Sequence, residues 1–373
     1  MDFYSLSPEE QEMWLEGPAL EPPPGITPNL DNPPNGNALA LAVISIMFGL
    51  ASIGMLMRLI IRRKMLHITD YVAMFAFACY IGQTYLFYDM IHESGYFVHQ
   101  WDIRLRDLEQ HFFSVFLISV IYVACISAIK AAIILELIRI FGSKGRRDMF
   151  FWTSRIVLCA DVCWGIVVII LNNTSVTPHR ALWDPLIPYT ENFNIAVSTT
   201  CTSALNLVFD LVIFFLPQKV IWALNMKTSK KLAVSVIFAI GLLAIAAACG
   251  SLYSCVAPIE NDDITYDMSR LGLWNYCETT CGHLVFCTPA LPKITSALQT
   301  NPVVLTLRSW ASASLKWMSR PSSLHSGGSS PKVSPNLIGY RDIDELAVRR
   351  YPSVSVMKSS VVESGYDMNT RGV

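Results

Sequence analysis

Apolar runs about twenty residues long alternate with short polar stretches along most of this chain, beginning at Ala38. A helix needs about 20 mainly apolar residues to cross about 30 Å of hydrocarbon. Seven segments reach that length: 38–61, 70–92, 112–141, 152–172, 195–216, 232–257 and 269–291. The pattern predicts an all-α polytopic membrane protein, a seven-transmembrane-helix bundle with disordered N- and C-terminal tails. Thr69-Asp70 marks the start of the second helix, since both residues can cap free N–H groups and Asp70 complements the helix dipole. Leu216-Pro217 ends the fifth, because proline cannot donate to the helical ladder. The seventh segment, with Glu278, His283 and Pro289, is the most polar. Six helices followed by a re-entrant segment is the alternative there.

Composition narrows the class. The 373 residues are 53% hydrophobic and 15% charged, with mean hydropathy +0.41. Soluble domains carry about 25% charge, so a soluble enzyme is excluded. A net charge of -1 supplies no field for nucleic acid, so the lipid bilayer is the expected partner and nucleic acid is not. Residues 1–37 hold eight prolines, seven acidic residues and no Lys or Arg, which predicts an acidic, Pro-rich disordered outer tail. No cleavable signal peptide is expected, because the first apolar run is too long for one. Residues 38–293 form the membrane domain, and 294–373 read as a Ser-rich disordered cytoplasmic tail. Its serines are candidate phosphorylation sites, and the stretch 303–318 reads as a short amphipathic helix on the inner membrane surface.

Orientation follows from Lys and Arg in short loops. Arg62, Arg63, Lys64, Lys144, Arg146, Arg147, Lys219, Lys227, Lys230 and Lys231 fall on one side, ten in all. The opposite side has three, Arg104, Arg106 and Arg180. This places the N-terminus outside or in a lumen and the C-terminus in the cytoplasm. Asn172 and Asn173 begin two overlapping N-x-[ST] sequons on the outer side, and are candidate glycosylation sites or chance matches.

Ionisable groups inside lipid cost about 2.5–3.5 kcal/mol each on insertion scales and mark functional or register-setting positions. Lys130 lies nine residues before Arg139, and Asp210 lies nine before Lys219, on helices running the same way. A fixed rise per residue therefore puts both at one depth, with Asp161 near the same layer. Lys130 is expected to pair with Asp210, with Asp161 as alternative or third partner. This intramembrane polar network is either a latch between two helix arrangements or a static pair that sets register. Glu278 sits nearer the outer half; with Trp274 and Tyr276 it could line a ligand cavity, or be a neutral carboxyl bonded to a neighbouring helix. No metal site is expected, since His283 has no partners at ligand spacing. The ten cysteines fall almost wholly inside spans as small packing residues.

Particular runs carry a resemblance. Phe209-Asp210-Leu211-Val212-Ile213-Phe214-Phe215-Leu216-Pro217, then Ile221-Trp222-Ala223-Leu224-Asn225-Met226 and Lys230-Lys231-Leu232, is similar to the signature of the fungal rhodopsin-domain family of integral membrane proteins. Ala128-Ile129-Lys130-Ala131-Ala132-Ile133, Asp70-Tyr71, and Ile264-Thr265-Tyr266 with Leu273-Trp274 and Glu278 fit it too. The resemblance covers residues 40–295. It implies a seven-helix, GPCR-like protein; the family includes host-sensing receptors and members encoded in secondary-metabolite gene clusters. Two features depart from the pattern. Pro178-His179-Arg180-Ala181-Leu182-Trp183 lacks the cysteine many relatives carry before the fifth span, and no cysteine-rich domain precedes the first.

No cofactor is expected. A retinal Schiff base needs a lysine in the helix wall, and 269–291 contains none. Coupling to a G protein rests on analogy, because neither an Asp-Arg-Tyr triplet nor an Asn-Pro-x-x-Tyr motif is present. The expected function is a GPCR-like receptor or sensor, or an accessory membrane protein of a secondary-metabolite pathway. It would have a small lipophilic ligand and a cytoplasmic signalling partner, and no enzyme activity. The alternative is an intramembrane, cyclase-like enzyme using Glu278, Asp161 or Asp210 as a proton donor.

Overall fold

Backbone polar groups in hydrocarbon must be satisfied within their own segment, and the long apolar runs meet that demand as helices. The computed structural model describes residues 6–63, 65–141, 149–218, 228–256 and 263–290. Among these are one short helix, α1 (Pro8–Glu16), and seven long ones. The long helices are α2 (Asn37–Arg62), α3 (Ile68–Glu93), α4 (Leu105–Phe141), α5 (Met149–Thr174), α6 (Ile195–Phe215), α7 (Thr228–Val256) and α8 (Ile264–Cys287). They alternate in direction. One face of the bundle, here the N-face, gathers the starts of α2, α4, α6 and α8; the other is the C-face. Residues 294–373, including 303–318, lie outside the described residues, as do Lys144, Arg146, Arg147, Lys219 and Lys227.

By length and composition, α2, α4, α5, α6 and α7 can cross a membrane. The other two long helices are less apolar because they turn polar residues inward. On α3, Thr69, Asp70, Gln83 and Thr84 are buried. On α8, 12 of the 24 residues are buried, including Glu278, Thr279, Thr280 and His283. The polarity of the seventh segment thus marks a central helix, and α8 runs unbroken where a re-entrant segment was the alternative. Helices α4 and α8 also begin before 112 and 269, the first residues of their apolar windows. Hydropathy marks the hydrocarbon, and the helices continue past it by polar turns. The cap of α3 is His67, whose backbone N–H donates to the Asp70 carboxylate at 3.1 Å, so Asp70 works from the third helical position.

Residues 6–37 depart from the disordered tail expected of the composition of 1–37. Residues 6–37 are folded back on the start of α4. The Ala19 N–H donates to the Ile103 carbonyl at 2.9 Å, and the Leu105 N–H to Gly17 at 3.1 Å. Arg104 pairs with Asp31 at 2.6 Å and with Glu16 at 3.3 Å, and Arg106 also pairs with Glu16. Hydrophobic content alone cannot foresee such docking, because strand-like bridging and two arginines hold it. In α1 the Ser7 backbone N–H and hydroxyl bond Glu10, which lowers its carboxyl below the usual range.

The core lies between α2, α3, α4 and α8. Tyr80 stacks on Tyr276 at 4.8 Å, and their hydroxyls bond Thr280 at 2.7 Å and Thr84 at 2.8 Å. Lipid offers helices little hydrophobic drive to associate, so small residues and polar contacts must supply it. Gly165 shows the first device: a Cβ there would stand 2.4 Å from Ser127 Oγ and 3.1 Å from Ser127 Cβ. Gly165→Ala is expected to separate α4 from α5 and lower stability by about 1–3 kcal/mol. Ser127→Gly in the same chain should restore most of it. Unfolding midpoints of the purified variants check this.

Candidate functional site

Helix α6 shows the second device. None of its residues is fully buried. It nevertheless presents Asn206 and Asp210, one turn apart, to the interior. Lys130 of α4 meets both. Its Nζ is 2.7 Å from Asp210 Oδ1 and donates to Asn206 Oδ1 at 2.6 Å. It also lies 3.5 Å from Glu278 Oε1 on α8. Asn206 Nδ2 donates to Glu278 Oε1 at 2.7 Å, and the Tyr122 hydroxyl donates to Glu278 Oε2 at 3.1 Å. One cation, two carboxylates, an amide and a phenol therefore close a layer across α4, α6 and α8. The Lys130 side chain is 5% exposed, Asp210 11% and Glu278 1%.

Cavities lie on both sides of this layer. A C-face cavity of about 380 Å³ is bounded by Lys130, Asp210 and Glu278, with Ile133, Leu137 and Phe214. An N-face cavity of about 340 Å³ is bounded by Tyr122, Asn206 and Asp161, and reaches Asn172, Leu182 and Phe193. Its upper wall is steadied by a hairpin loop. There β1 (Val176–Thr177) pairs antiparallel with β2 (Thr190–Glu191), and Trp183 packs on Phe113 and Phe116.

The site residues read from sequence are distributed as follows. Lys130 and Asp210 meet. Asp161 forms no ion pair among the described residues, and the second charged partner of Lys130 is Glu278. Helix phase explains the exchange: α8 carries Glu278 into the layer, whereas Asp161 on α5 faces the N-face cavity. Glu278 bounds the C-face cavity, whose lining includes neither Trp274 nor Tyr276. Positions 276 and 278 are two residues apart and point to different sides of a helix. Tyr276 is buried against Tyr80 and Phe87, and Trp274 packs at Gly250 of α7 and is 39% exposed. Asn172 and Asn173 occupy the last turn of α5. The Asn173 amide nitrogen, which would carry a glycan, donates to the Ile169 carbonyl at 2.8 Å.

Asn206 and Tyr122 were not legible as site residues, since an amide or a phenol in an apolar run carries no depth-marking charge. A second cluster at the C-face was also missed. Arg58 of α2 is 1% exposed, lies 3.0 Å from Asp70 Oδ1 and 3.2 Å from Glu136 Oε2, and covers the Phe286 ring at 3.6 Å. Arg62 reaches Glu136 Oε1 at 2.7 Å and Arg139 reaches Oε2 at 3.4 Å. Arg58 follows an apolar run and precedes Arg62 and Arg63, so it resembles the basic end of a span. Among the described residues, no three His, Cys, Asp or Glu side chains could together hold a metal ion.

The Fungal rhodopsin domain family matches residues 54–297. A protein of Gibberella zeae named Fugralins biosynthesis cluster protein 2 is 34% identical over 285 residues, covering 75% of this chain and 71% of that protein. A SAT4 family membrane protein of Emericella nidulans is 30% identical over 201 residues, covering 54% of this chain and 50% of the relative. No solved structure matches the chain.

Proposed function

The chain belongs to the fungal rhodopsin domain family, and on that premise we propose that it is a GPCR-like sensor of a small lipophilic metabolite made by a biosynthetic pathway. The observation that carries this is Lys130, which ties the otherwise shallowly packed α6 to α4 and α8 between two cavities. A ligand changes a helix arrangement only if it binds the two arrangements unequally. A ligand in the N-face cavity touches Asn206 directly and would shift α6 through it. The move would reach Pro217, just past the C-face end of α6. The name of the Gibberella relative supports a tie to secondary metabolism. The ten-to-three distribution of positive charges supports an N-face outside or in a lumen and a C-face in the cytoplasm.

A sensor returns its ligand unchanged. Proteoliposomes incubated with the lipid-soluble extract of the source culture should retain one or a few compounds and release them with unaltered mass. In cells, removing residues 294–373 should abolish the response while membranes keep that retention. Appearance of a new product, lost on Glu278→Gln, would replace the sensor by an intramembrane enzyme.

A further inference from the structure

Two polar atoms on α5 lack hydrogen-bond partners. Asp161 Oδ2 and Trp164 Nε1 are both buried and neither is bonded. Both residues line the N-face cavity, and Asp161 is 4% exposed. Leaving a buried polar atom unbonded costs free energy, so such pairs in native structures need an explanation. Side chains three apart on a helix are neighbours, with Cβ atoms about 5–6 Å apart. One small group on a bound molecule can therefore reach both.

The chemistry of that group is restricted. While Asp161 is ionised its carboxylate only accepts, and an indole N–H only donates. A hydroxyl satisfies both through one oxygen, accepting from the indole and donating to the carboxylate. An ammonium has no acceptor for the indole, and an ether or ketone has no donor for the carboxylate. A hydrocarbon offers neither. Much of the surrounding wall is apolar, with Phe116, Val123, Val168, Phe209 and Leu271. The hydroxyl must then ride on a hydrophobic body, and the cavity volume lies in the range of small-molecule sites.

We propose that the N-face cavity binds a lipophilic alcohol, with its hydroxyl held between Asp161 Oδ2 and Trp164 Nε1. This names the ligand class of the sensor site and rests on that cavity being the site.

The test uses the full chain in nanodiscs, with empty nanodiscs correcting for partition into lipid. Two matched probe sets are titrated: farnesol, farnesyl methyl ether and farnesene; and decahydro-2-naphthol, its methyl ether and decalin. At least one alcohol should bind about tenfold or more tightly than its ether and hydrocarbon, a difference of about 1.4 kcal/mol. Asp161→Leu should bring the alcohol to the level of the ether and leave the ether unchanged. Trp164→Phe, which removes the indole N–H and keeps an aromatic ring, should reduce the preference as well and serves if the first variant does not fold. Equal binding of alcohol and ether, or a preference that survives both substitutions, overturns the hydroxyl assignment while leaving the cavity as a ligand site. Absence of binding by every probe overturns the proposal and removes the support it draws from the cavity.

Discussion

Lys130→Met is expected to destabilise the bundle by about 3–5 kcal/mol, the usual cost of removing one partner from a buried ion pair. Two carboxylates would then face each other's field without a cation, since Asp210 and Glu278 both lie against Lys130 Nζ. Asn206 would lose its charged donor as well. The loss should concentrate on α6, which has little other burial to hold it. Unfolding midpoints in detergent, with proteolysis of the α6 region as a local readout, check both parts. Asp210→Asn should cost less than Lys130→Met, because Lys130 keeps Glu278 and both oxygens of Asn206.

Arg58→Met is the second large effect, with an expected loss of about 3 kcal/mol. Arg58 bonds Asp70 on α3, Glu136 on α4 and the Phe286 carbonyl on α8, so one side chain ties α2 to three neighbours. Arg62 and Arg139 remain on Glu136, which keeps the loss below that of Lys130→Met. Arg58→Lys should recover only part of it. A lysine is a point charge without the planar fork, and it cannot lie flat on the Phe286 ring. Comparing the three proteins by unfolding midpoint, with Arg63→Met as the exposed control, isolates the buried arginine.

The helices were legible because their signal is coarse: apolar length is nearly all that a span requires. Their ends were not, since polar turns such as Arg106-Asp107 continue α4 beyond the hydrocarbon window. Lys130 and Asp210 could be placed at one depth because the rise per residue is fixed. Depth alone does not give rotation about the helix axis. That is why Asp161 stands beside them as alternative or third partner, and why Glu278 has two readings from sequence, lining a ligand cavity with Trp274 and Tyr276 or bonding a neighbouring helix. The docking of residues 6–37 was illegible for a different reason. It depends on Arg104 and Arg106, which the sequence marks only as loop charges.

The central claim is that the Lys130 layer is a charge-matched joint rather than three separately useful polar residues. The deciding measurement is the unfolding midpoint of Lys130→Met beside that of the triple neutral variant Lys130→Met, Asp210→Asn, Glu278→Gln. A joint requires that removing the stranded carboxylate charges return most of the stability lost with the lysine, so the triple variant should unfold later than the single one. A triple variant that unfolds earlier, with the losses adding, would contradict it.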